Sequence, residues 1–286
     1  MFENIEIRTV DVGSTTVTYR ELGSGPTVVL VHGLLANGLL WARTAEQLAT
    51  RFRVVVPDWP LGAHTVPLPP EADRSPAGVA ALIADLLEAL DLDDVTLVGN
   101  DTGGALCQIV VTTRPDRVGR LVLTPCDAYD NFLPAMFRPF QWLARVPGSL
   151  RLTVEALRYR PARRLPMTFG RLTRRPLPDA LIDAFLAPAR SDPRIRRDLA
   201  GFLRGIDPAA TWGAAARFDS FTRPVLLAWA AEDRFFPLRH AQAMAAAFPD
   251  ARLERIDDSA TLVSIDQPER TAALIASFVD ATQRVR

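Results

Sequence analysis

One short stretch, Gly99-Asn100-Asp101-Thr102-Gly103, restricts the fold of this chain more than any other. It lies between an apolar run, residues 95–99, and a segment with helical spacing, residues 103–113. Glycines on both sides of a central residue permit a sharp turn from a strand into a helix, and such a turn presents the middle side chain at the top of a sheet. The stretch therefore predicts an α/β architecture with Asp101 at the carboxyl end of a buried strand.

Further apolar runs of the same kind each end at polar residues; they are residues 27–31, 53–56, 121–124 and 225–229. Short runs rich in β-branched residues and apolar on both faces are typical of buried parallel strands. Helical patterns at 76–90, 240–247 and 271–281 alternate with them, and residues 5–21 indicate an antiparallel hairpin. We therefore predict an α/β fold with a doubly wound, mostly parallel sheet, in which ligands lie at the carboxyl ends of the strands.

This alternation stops between residues 129 and 218. The segment is rich in Arg, Pro and Leu, carries helical fragments at 150–158 and 179–186, and contains no convincing buried strand. Long insertions after a core strand are often functional. We interpret residues 1–128 and 219–286 as the core and residues 129–218 as a helical lid over the strand ends.

The composition limits the partners of this chain. Its 33 basic and 33 acidic residues give a formal net charge of zero, which removes the main electrostatic argument for a nucleic-acid partner. Every basic residue is Arg, so a Schiff-base lysine is excluded. The N-terminus shows no signal-peptide pattern, no apolar run reaches the roughly 18 residues of a membrane helix, and two cysteines fall short of a disulfide framework. We expect a cytoplasmic protein with a small-molecule ligand, no membrane partner, and neither cofactor nor metal; the sequence is silent on oligomeric state.

Asp101 is the first candidate for chemistry. The helix N-terminus beneath it favours negative charge, and a carboxylate there can attack an sp³ carbon or an activated carbonyl. The alternative is that Asp101 only caps the helix. The backbone N–H groups of Leu34 and Thr102 are candidates for an oxyanion hole, whereas His32 is expected to hold its own loop.

Two more acidic residues follow predicted strands. Asp233 comes after the run 225–229, where an acid usually orients a histidine; the alternative is a loop aspartate that caps the helix near Pro237. Asp127 comes after the run 121–124 and is a candidate to share the task of a base. Three carboxylates at neighbouring strand ends repel one another, so we predict that the pKa of one of them is raised.

Three segments together resemble the motifs of the α/β-hydrolase superfamily: His32-Gly33, Gly99 to Gly104, and Glu232-Asp233-Arg234-Phe235-Phe236-Pro237. The aspartate in the turn resembles the branch of epoxide hydrolases and haloalkane dehalogenases. The resemblance covers almost the whole chain. It implies an α/β-hydrolase fold, Asp101 as nucleophile, a covalent ester intermediate, and a His–acid pair that activates water to release the ester.

The sequence departs from this family where its catalytic histidine belongs. That histidine precedes a segment like Asp266-Gln267-Pro268-Glu269, and here Thr261 occupies its place. A threonine cannot serve as a general base near neutral pH, and general-base help contributes roughly 10²- to 10⁴-fold in rate. Thr102 and Leu34 also stand where halide-binding side chains are found in the dehalogenases. The triad is thus non-standard, and we expect release of the ester to be the weak step.

Several other side chains are candidates for the walls of the pocket; they are His32, Trp59, His64, Tyr129, Trp142 and Tyr159. Tyr159 is a candidate proton donor to an epoxide oxygen, and His64 is a candidate catalytic group at the pocket rim. Ordinary packing is the alternative for each. His240, at the start of a helix, is expected at the surface.

Three functions stay open at this point. The favoured one is a hydrolase-type enzyme that uses Asp101 on a small, largely apolar ester, epoxide or alkyl halide. The second is a non-hydrolytic lyase or isomerase in which Asp101 transfers a proton. The third is a ligand-binding protein that kept the fold and lost turnover.

Overall fold

The computed structural model describes residues 2–283 and contains one sheet of eight strands. The strands are β1 (Arg8–Val12), β2 (Thr15–Leu22), β3 (Thr27–Val31), β4 (Arg53–Pro57), β5 (Val95–Asp101), β6 (Val118–Cys126), β7 (Val225–Ala230) and β8 (Ala251–Ile256). All five predicted core strands and the N-terminal hairpin are present. The predicted runs did not include β8, because its charged Arg252 and Glu254 alternate with less polar residues at the edge of the sheet.

The order of the strands across the sheet is β1-β2-β4-β3-β5-β6-β7-β8. Strand β2 is antiparallel to its two neighbours, and every pair from β4 to β8 is parallel. Because β3 lies between β4 and β5, the chain leaves β3 toward one edge and returns on its other side. This reversal opens a crevice at the carboxyl ends of β3 and β5. The predicted doubly wound, mostly parallel α/β-hydrolase fold is confirmed.

Twelve α-helices lie within the described residues. They are α1 (Ala42–Leu48), α2 (Pro76–Ala89), α3 (Thr102–Thr113), α4 (Pro139–Leu143), α5 (Ser149–Ala156), α6 (Arg160–Arg163), α7 (Asp179–Ser191), α8 (Pro193–Gly205), α9 (Pro208–Ala215), α10 (Leu238–Ala247), α11 (Val263–Asp266) and α12 (Pro268–Gln283). Short 3₁₀ turns occur at Phe2–Asn4, Gly38–Trp41, Ala135–Phe137 and Phe218–Ser220. Helix α1 packs against α12, and α2 packs against α3.

The segment predicted as the lid, residues 129–218, contains helices α4 to α9 and none of the eight strands of the sheet, and we keep the name lid for these residues. Helix α8 is amphipathic and buries Leu199, Phe202 and Leu203, and it packs against α4, α5 and α7. The insertion therefore has apolar surface facing inward, above the carboxyl ends of the strands. None of the helices between residues 2 and 283 has the length and apolar character of a membrane span.

Candidate active site

Asp101 forms the turn between β5 and α3, as predicted from its flanking glycines. Its backbone has φ 54° and ψ −133°, a conformation that non-glycine residues adopt only where the surrounding structure holds them in it. Its side chain makes no hydrogen bond to the N–H groups of the second and third residues of α3, which a capping residue would bond, and this argues against a role as a mere helix cap. The turn therefore serves to present the carboxyl group to the crevice.

The two backbone donors predicted as an oxyanion hole interact with the Asp101 carboxyl group itself. The N–H of Leu34 donates to Oδ2 of Asp101 at 3.2 Å. The N–H of Thr102 also hydrogen-bonds this carboxyl group and lowers its pKa. Both donors stabilise negative charge on this carboxyl group.

Two glycines permit this close approach. A Cβ atom at Gly33 would overlap Oδ2 and Cβ of Asp101, and a Cβ at Gly103 would collide with the carbonyl oxygens of Val31 and His32. The loop after β3 and the start of α3 can therefore meet only because these two positions lack a side chain.

Asp101, Asp127 and Asp233 interact electrostatically at the strand ends, as their positions in the sequence predicted. Burial raises the pKa of Asp101 to about 7; the N–H groups of Leu34 and Thr102 oppose the shift, and the charge of Asp233 adds to it. Burial also raises the pKa of Asp233 to about 6, against hydrogen bonds from the N–H groups of Phe236 and Phe235. Burial is thus the larger cause of these shifts, and the repulsion that we predicted is the smaller one.

Asp127 is fully buried, and only part of its carboxyl group is satisfied. The hydroxyl of Thr102 donates to Oδ2 at 3.3 Å, whereas Oδ1 has no hydrogen-bond partner among the described residues. Burial, together with the charge of Asp101, raises the pKa of Asp127 well above its usual range. The same burial disfavours the charged form that a base needs.

Thr261 lies beside Asp233, where the resemblance places the family's histidine. Its hydroxyl lowers the pKa of Asp233, yet Oγ1 of Thr261 and Oδ2 of Asp233 are both buried and neither makes a direct hydrogen bond within the described chain. The other oxygen of Asp233 accepts N–H groups of Phe235 and Phe236 at 2.7 and 2.8 Å. The acid is therefore fixed in position, with one oxygen free to take a further donor.

Asn100 positions this threonine, a role that the sequence reasoning did not assign. Its Nδ2 donates to the carbonyl oxygen of Thr261 at 2.8 Å, to Oγ1 of Thr124 at 2.9 Å and to the carbonyl oxygen of Pro125 at 3.0 Å. The residue before Asp101 thus connects the turn to the loop of Thr261. The sequence did contain a signal for this role: Asn100 ends a predicted buried strand, and a buried amide side chain requires hydrogen-bond partners.

His32 is a structural residue, as expected. It is fully buried; Nδ1 donates to the carbonyl oxygen of Gly33 at 2.9 Å, and Nε2 accepts the N–H of Trp59 at 2.8 Å. Burial lowers the pKa of this imidazole to about 4, so the ring is neutral. It joins the loops after β3 and β4, and Trp59 is buried in the core.

His64 belongs to a separate buried network that connects the core to the lid. Its Nε2 donates to Oδ2 of Asp198, in α8, at 3.3 Å. Oδ1 of Asp198 accepts Nε of Arg74 at 2.8 Å and a guanidinium nitrogen of Arg197 at 2.9 Å, and Oδ2 also accepts the N–H of Leu68 at 2.8 Å. Burial raises the pKa of Asp198, but these hydrogen bonds outweigh it and bring the pKa to about 2.

The aromatic candidates lie away from Asp101. Trp142 and Tyr159 are 73% and 72% exposed on the lid, and the ring of Tyr129 packs on Trp212 and His240. His240 was expected at the surface, and this was wrong: it is buried, because the ring of Tyr129 covers it.

A cavity of about 80 Å³ opens onto Asp101 beneath the lid. Its walls are leucines and phenylalanines with a few other side chains: Leu34, Leu35, Leu133, Phe137, Phe140, Leu150, Thr153, Val154, Leu157, Met167, Thr168, Phe169, Leu172, Leu199 and Leu203. Within the described chain, Asp101 is the one ionisable residue of this lining. None of the six predicted pocket residues contributes to it. Residues 2–283 contain no group of three His, Cys, Asp or Glu side chains arranged to hold a metal ion.

Comparison with known proteins agrees with the fold of this chain. Residues 26–268 match the α/β-hydrolase fold family. The chain is 29% identical to an uncharacterised protein of Mycobacterium tuberculosis (93% of this chain, 78% of that protein). It is 30% identical to 2-hydroxy-6-oxononadienedioate/2-hydroxy-6-oxononatrienedioate hydrolase 1 of Dechloromonas aromatica (82% and 80%), and 27% identical to haloalkane dehalogenase 2 of M. tuberculosis (94% and 93%).

The chain therefore belongs to the α/β-hydrolase fold family, as its motifs indicated. Its relatives include hydrolases and dehalogenases, and they support an enzyme of the α/β-hydrolase class.

Proposed function

We propose that this protein hydrolyses small, uncharged, largely apolar molecules of the ester, epoxide or alkyl halide class, with Asp101 as the reacting carboxylate. One observation carries the proposal: among the described residues, Asp101 is the single ionisable side chain of a cavity whose other walls are apolar apart from Thr153 and Thr168. Apolar walls exclude water and select uncharged substrates, and a few polar groups then fix orientation. The relatives named hydrolase and haloalkane dehalogenase support the same reaction class.

The first step is attack by a carboxylate oxygen of Asp101 on an electrophilic carbon. With an alkyl halide, a C–O bond forms, the carbon–halogen bond breaks, and the halide leaves with the electron pair. The N–H groups of Leu34 and Thr102 hold the carboxylate for this attack. They would next stabilise the oxyanion formed when water adds to the ester carbonyl.

The second step needs a base for that water, and Asp233 is positioned to act directly. Its Oδ2 and the hydroxyl of Thr261 face each other without a direct hydrogen bond. A water molecule between two such polar groups is a common arrangement. Asp233 takes the proton of this water, the hydroxide oxygen bonds to the ester carbon, and the alkoxide leaves and is protonated. A pKa of about 6 suits a base near neutral pH.

A proton-transfer reaction is the second candidate, and the raised pKa of Asp101, about 7, favours it. A carboxyl group with this pKa can remove a proton from an acidic C–H or from water near neutral pH, without forming an ester. The two functions differ in whether Asp101 becomes covalently modified.

A single-turnover experiment in H₂¹⁸O distinguishes them. Excess enzyme is mixed with 1-bromobutane, styrene oxide or p-nitrophenyl butyrate, and both the product and the peptide that contains Asp101 are analysed by mass spectrometry. If Asp101 is the nucleophile toward the halide or epoxide, the ¹⁸O enters the Asp101 peptide and the first product carries unlabelled oxygen. Label in the product alone would contradict a covalent ester and support proton transfer. Tight binding of all three probes without turnover would indicate a ligand-binding protein.

The variant Thr261→His tests whether a restored histidine increases turnover. An imidazole between Asp233 and Asp101 should raise release of the ester by roughly 10²-fold or more. Unchanged turnover in a variant with native thermal stability would contradict a latent two-step hydrolase.

A further inference from the structure

The outer surface of the lid carries an uneven distribution of charge. Residues 134–178 contain ten arginines and a single acidic residue, Glu155, in a chain whose formal net charge is zero. Glu155 itself is within ion-pair distance of Arg158 and Arg190. Acidic residues outside the segment pair with four more of its arginines, Arg160, Arg163, Arg174 and Arg175. The other five form no ion pair within residues 2–283, so their charge must be balanced by solvent ions or by an external anion; they are Arg138, Arg145, Arg151, Arg164 and Arg171.

Five arginines converge on one concavity of this surface, which we call the arginine pocket: Arg145, Arg151, Arg196, Arg197 and Arg204. The pocket has a volume of about 360 Å³, and no acidic side chain lines it. It is open to solvent between the segment 144–151 and helix α8, on the outside of the lid.

Backbone carbonyl groups hold two of these side chains in place. Arg196 donates to the carbonyl oxygen of Ala189 at 2.6 Å, and Arg204 donates to that of Ala144 at 3.0 Å. Of the five arginines, only Arg197 pairs with a carboxylate of residues 2–283, that of Asp198. Arg145 and Arg151 are exposed and form no ion pair within the described residues. Guanidinium groups held close together without counter-charges favour an anion with several oxygens, above all a phosphate.

The rim of the arginine pocket is apolar and exposed. Val146 lies in its wall and is 57% exposed, while Trp142 and Leu152, which flank it in sequence, are each 73% exposed. A free phosphate or a nucleic-acid backbone gives such side chains nothing to contact, whereas a phospholipid supplies hydrocarbon next to its phosphate. Arginines beside exposed Trp and Leu on short helices are typical of a surface that lies in the lipid headgroup region.

This site adjoins the apolar cavity. Leu150 lines both the arginine pocket and the cavity that contains Asp101. The inner face of α5 thus covers the cavity, and its outer face carries Arg151 and Leu152.

We propose that the arginine pocket binds the phosphate headgroups of anionic phospholipids and docks the lid on a membrane surface. Val146, Trp142 and Leu152 enter the headgroup region, and the apolar cavity then opens next to the layer in which apolar molecules concentrate. The absence of a spanning helix led us to expect no membrane partner, but a peripheral contact of this kind needs none. The proposal does not depend on the reaction at Asp101, because its test measures binding and not turnover.

The test is co-sedimentation with vesicles of phosphatidylcholine alone and of phosphatidylcholine with about 30 mol% phosphatidylglycerol. The native protein should bind the anionic vesicles and lose binding as salt is raised. The double variant Arg145→Glu/Arg151→Glu should bind at least roughly 30-fold more weakly, since each basic residue near an anionic surface contributes about fivefold in affinity and the new carboxylates add repulsion. Trp142→Ser should weaken binding without any change of charge.

The matched control is Arg255→Glu/Arg270→Glu, which makes the same charge change at two exposed arginines of the core, in β8 and α12. It should retain native binding. Equal losses in the two double variants would indicate non-specific attraction and overturn the proposal. Binding of inorganic phosphate or single-stranded DNA without binding of anionic vesicles would also overturn it.

Discussion

Buried carboxyl groups at two places in this protein have pKa values shifted in opposite directions. Asp101, Asp127 and Asp233 lie at the strand ends of the core, and Asp198 lies where the lid meets the core. Burial raises the pKa in both places. Asp198 nevertheless has a pKa of about 2, because Arg74, Arg197 and His64 donate hydrogen bonds to it. Within residues 2–283, no arginine or histidine donates a hydrogen bond to any of the three aspartates at the strand ends.

The difference shows that burial sets the cost of a charge and that the neighbours decide whether the charge persists. A fully satisfied carboxylate such as Asp198 is suited to joining two parts of the fold. A carboxyl group with few partners and a pKa near neutral is suited to chemistry, because it can exist in either protonation state.

The largest effect is expected for Asp101→Asn. This nearly isosteric change removes the reacting oxygen, so turnover of any probe that the native enzyme hydrolyses should fall roughly 10⁴-fold or more. The measurement is steady-state turnover together with intact mass after incubation with the probe. Asp127→Asn is the matched control from the same cluster, and it should cost less than about tenfold, because Asp127 does not line the cavity and its burial disfavours the charged form. Similar losses in both variants would mean that the reactive carboxyl group has been assigned wrongly.

The next largest effect is expected on the free energy of unfolding when Asp198 is changed. Asp198→Asn leaves Arg74 and Arg197 without their buried counter-charge, and it should lower the free energy of unfolding by about 3 kcal/mol. Urea denaturation near pH 7 measures this. Glu269→Gln breaks the exposed pair with Arg43 and should cost less than about 1 kcal/mol. If both variants lost equally little, Asp198 would not be the contact that fastens the lid.

The pH dependence of stability should separate the two sets. The pKa of Asp101 rises from roughly 3.9 in the unfolded chain to about 7 in the folded protein, so folding retains a proton that the unfolded chain releases. This contribution to stability is complete below about pH 4 and is lost as pH rises through 7. The stabilisation of Asp101→Asn over the native protein should therefore grow from near zero at about pH 4 to roughly 2 kcal/mol at about pH 6, and it should increase further up to about pH 8.

The test compares Asp101→Asn with the native protein because His32 also changes stability with pH. The low pKa of His32 makes the free energy of unfolding rise with pH over part of the range from 4 to 7, and this effect is common to both proteins and cancels. The pKa of Asp198 is lowered, so its contribution is lost only as pH falls below about 4. Urea unfolding of both proteins at four pH values tests this. A stabilisation by Asp101→Asn that stays constant with pH would refute the raised pKa.

The smallest effect is expected for Thr261→Val, which keeps the shape of the side chain and removes the hydroxyl opposite Asp233. Turnover should fall about tenfold, through slower release of the ester, so the covalent adduct should accumulate to a higher level. The control is Thr44→Val, since Thr44 also has a buried hydroxyl without a partner but belongs to α1. A native rate in Thr261→Val would remove Thr261 from the release step.

The sequence predicted the core better than the lid, for physical reasons. A parallel strand buried on both faces reads as a continuous apolar run, and five such runs located the edge of the sheet where Asp101, Asp127 and Asp233 meet. The lid helices are short, and nothing local decides which face of them turns inward. Trp142 and Tyr159 were therefore placed at the pocket, whereas tertiary packing turns them to solvent.

The buried network around Asp198 was equally invisible in the sequence. Its members, His64, Arg74, Arg197 and Asp198, come from two regions more than 100 residues apart, and each is an ordinary surface residue by type. By contrast, Thr261 was located because it lies in a segment with a recognisable position relative to Asp266 and Pro268.

Gly33 limits which substitutions this protein can accept near Asp101. Any side chain at this position would occupy the space of the Asp101 carboxylate, although Gly33 has no reactive atom of its own. A saturation library scored for activity should accept only glycine there, next to positions of the cavity wall that accept many apolar residues. New substrate preferences can thus arise by exchange of residues of the cavity wall, whereas Gly33 is closed to substitution.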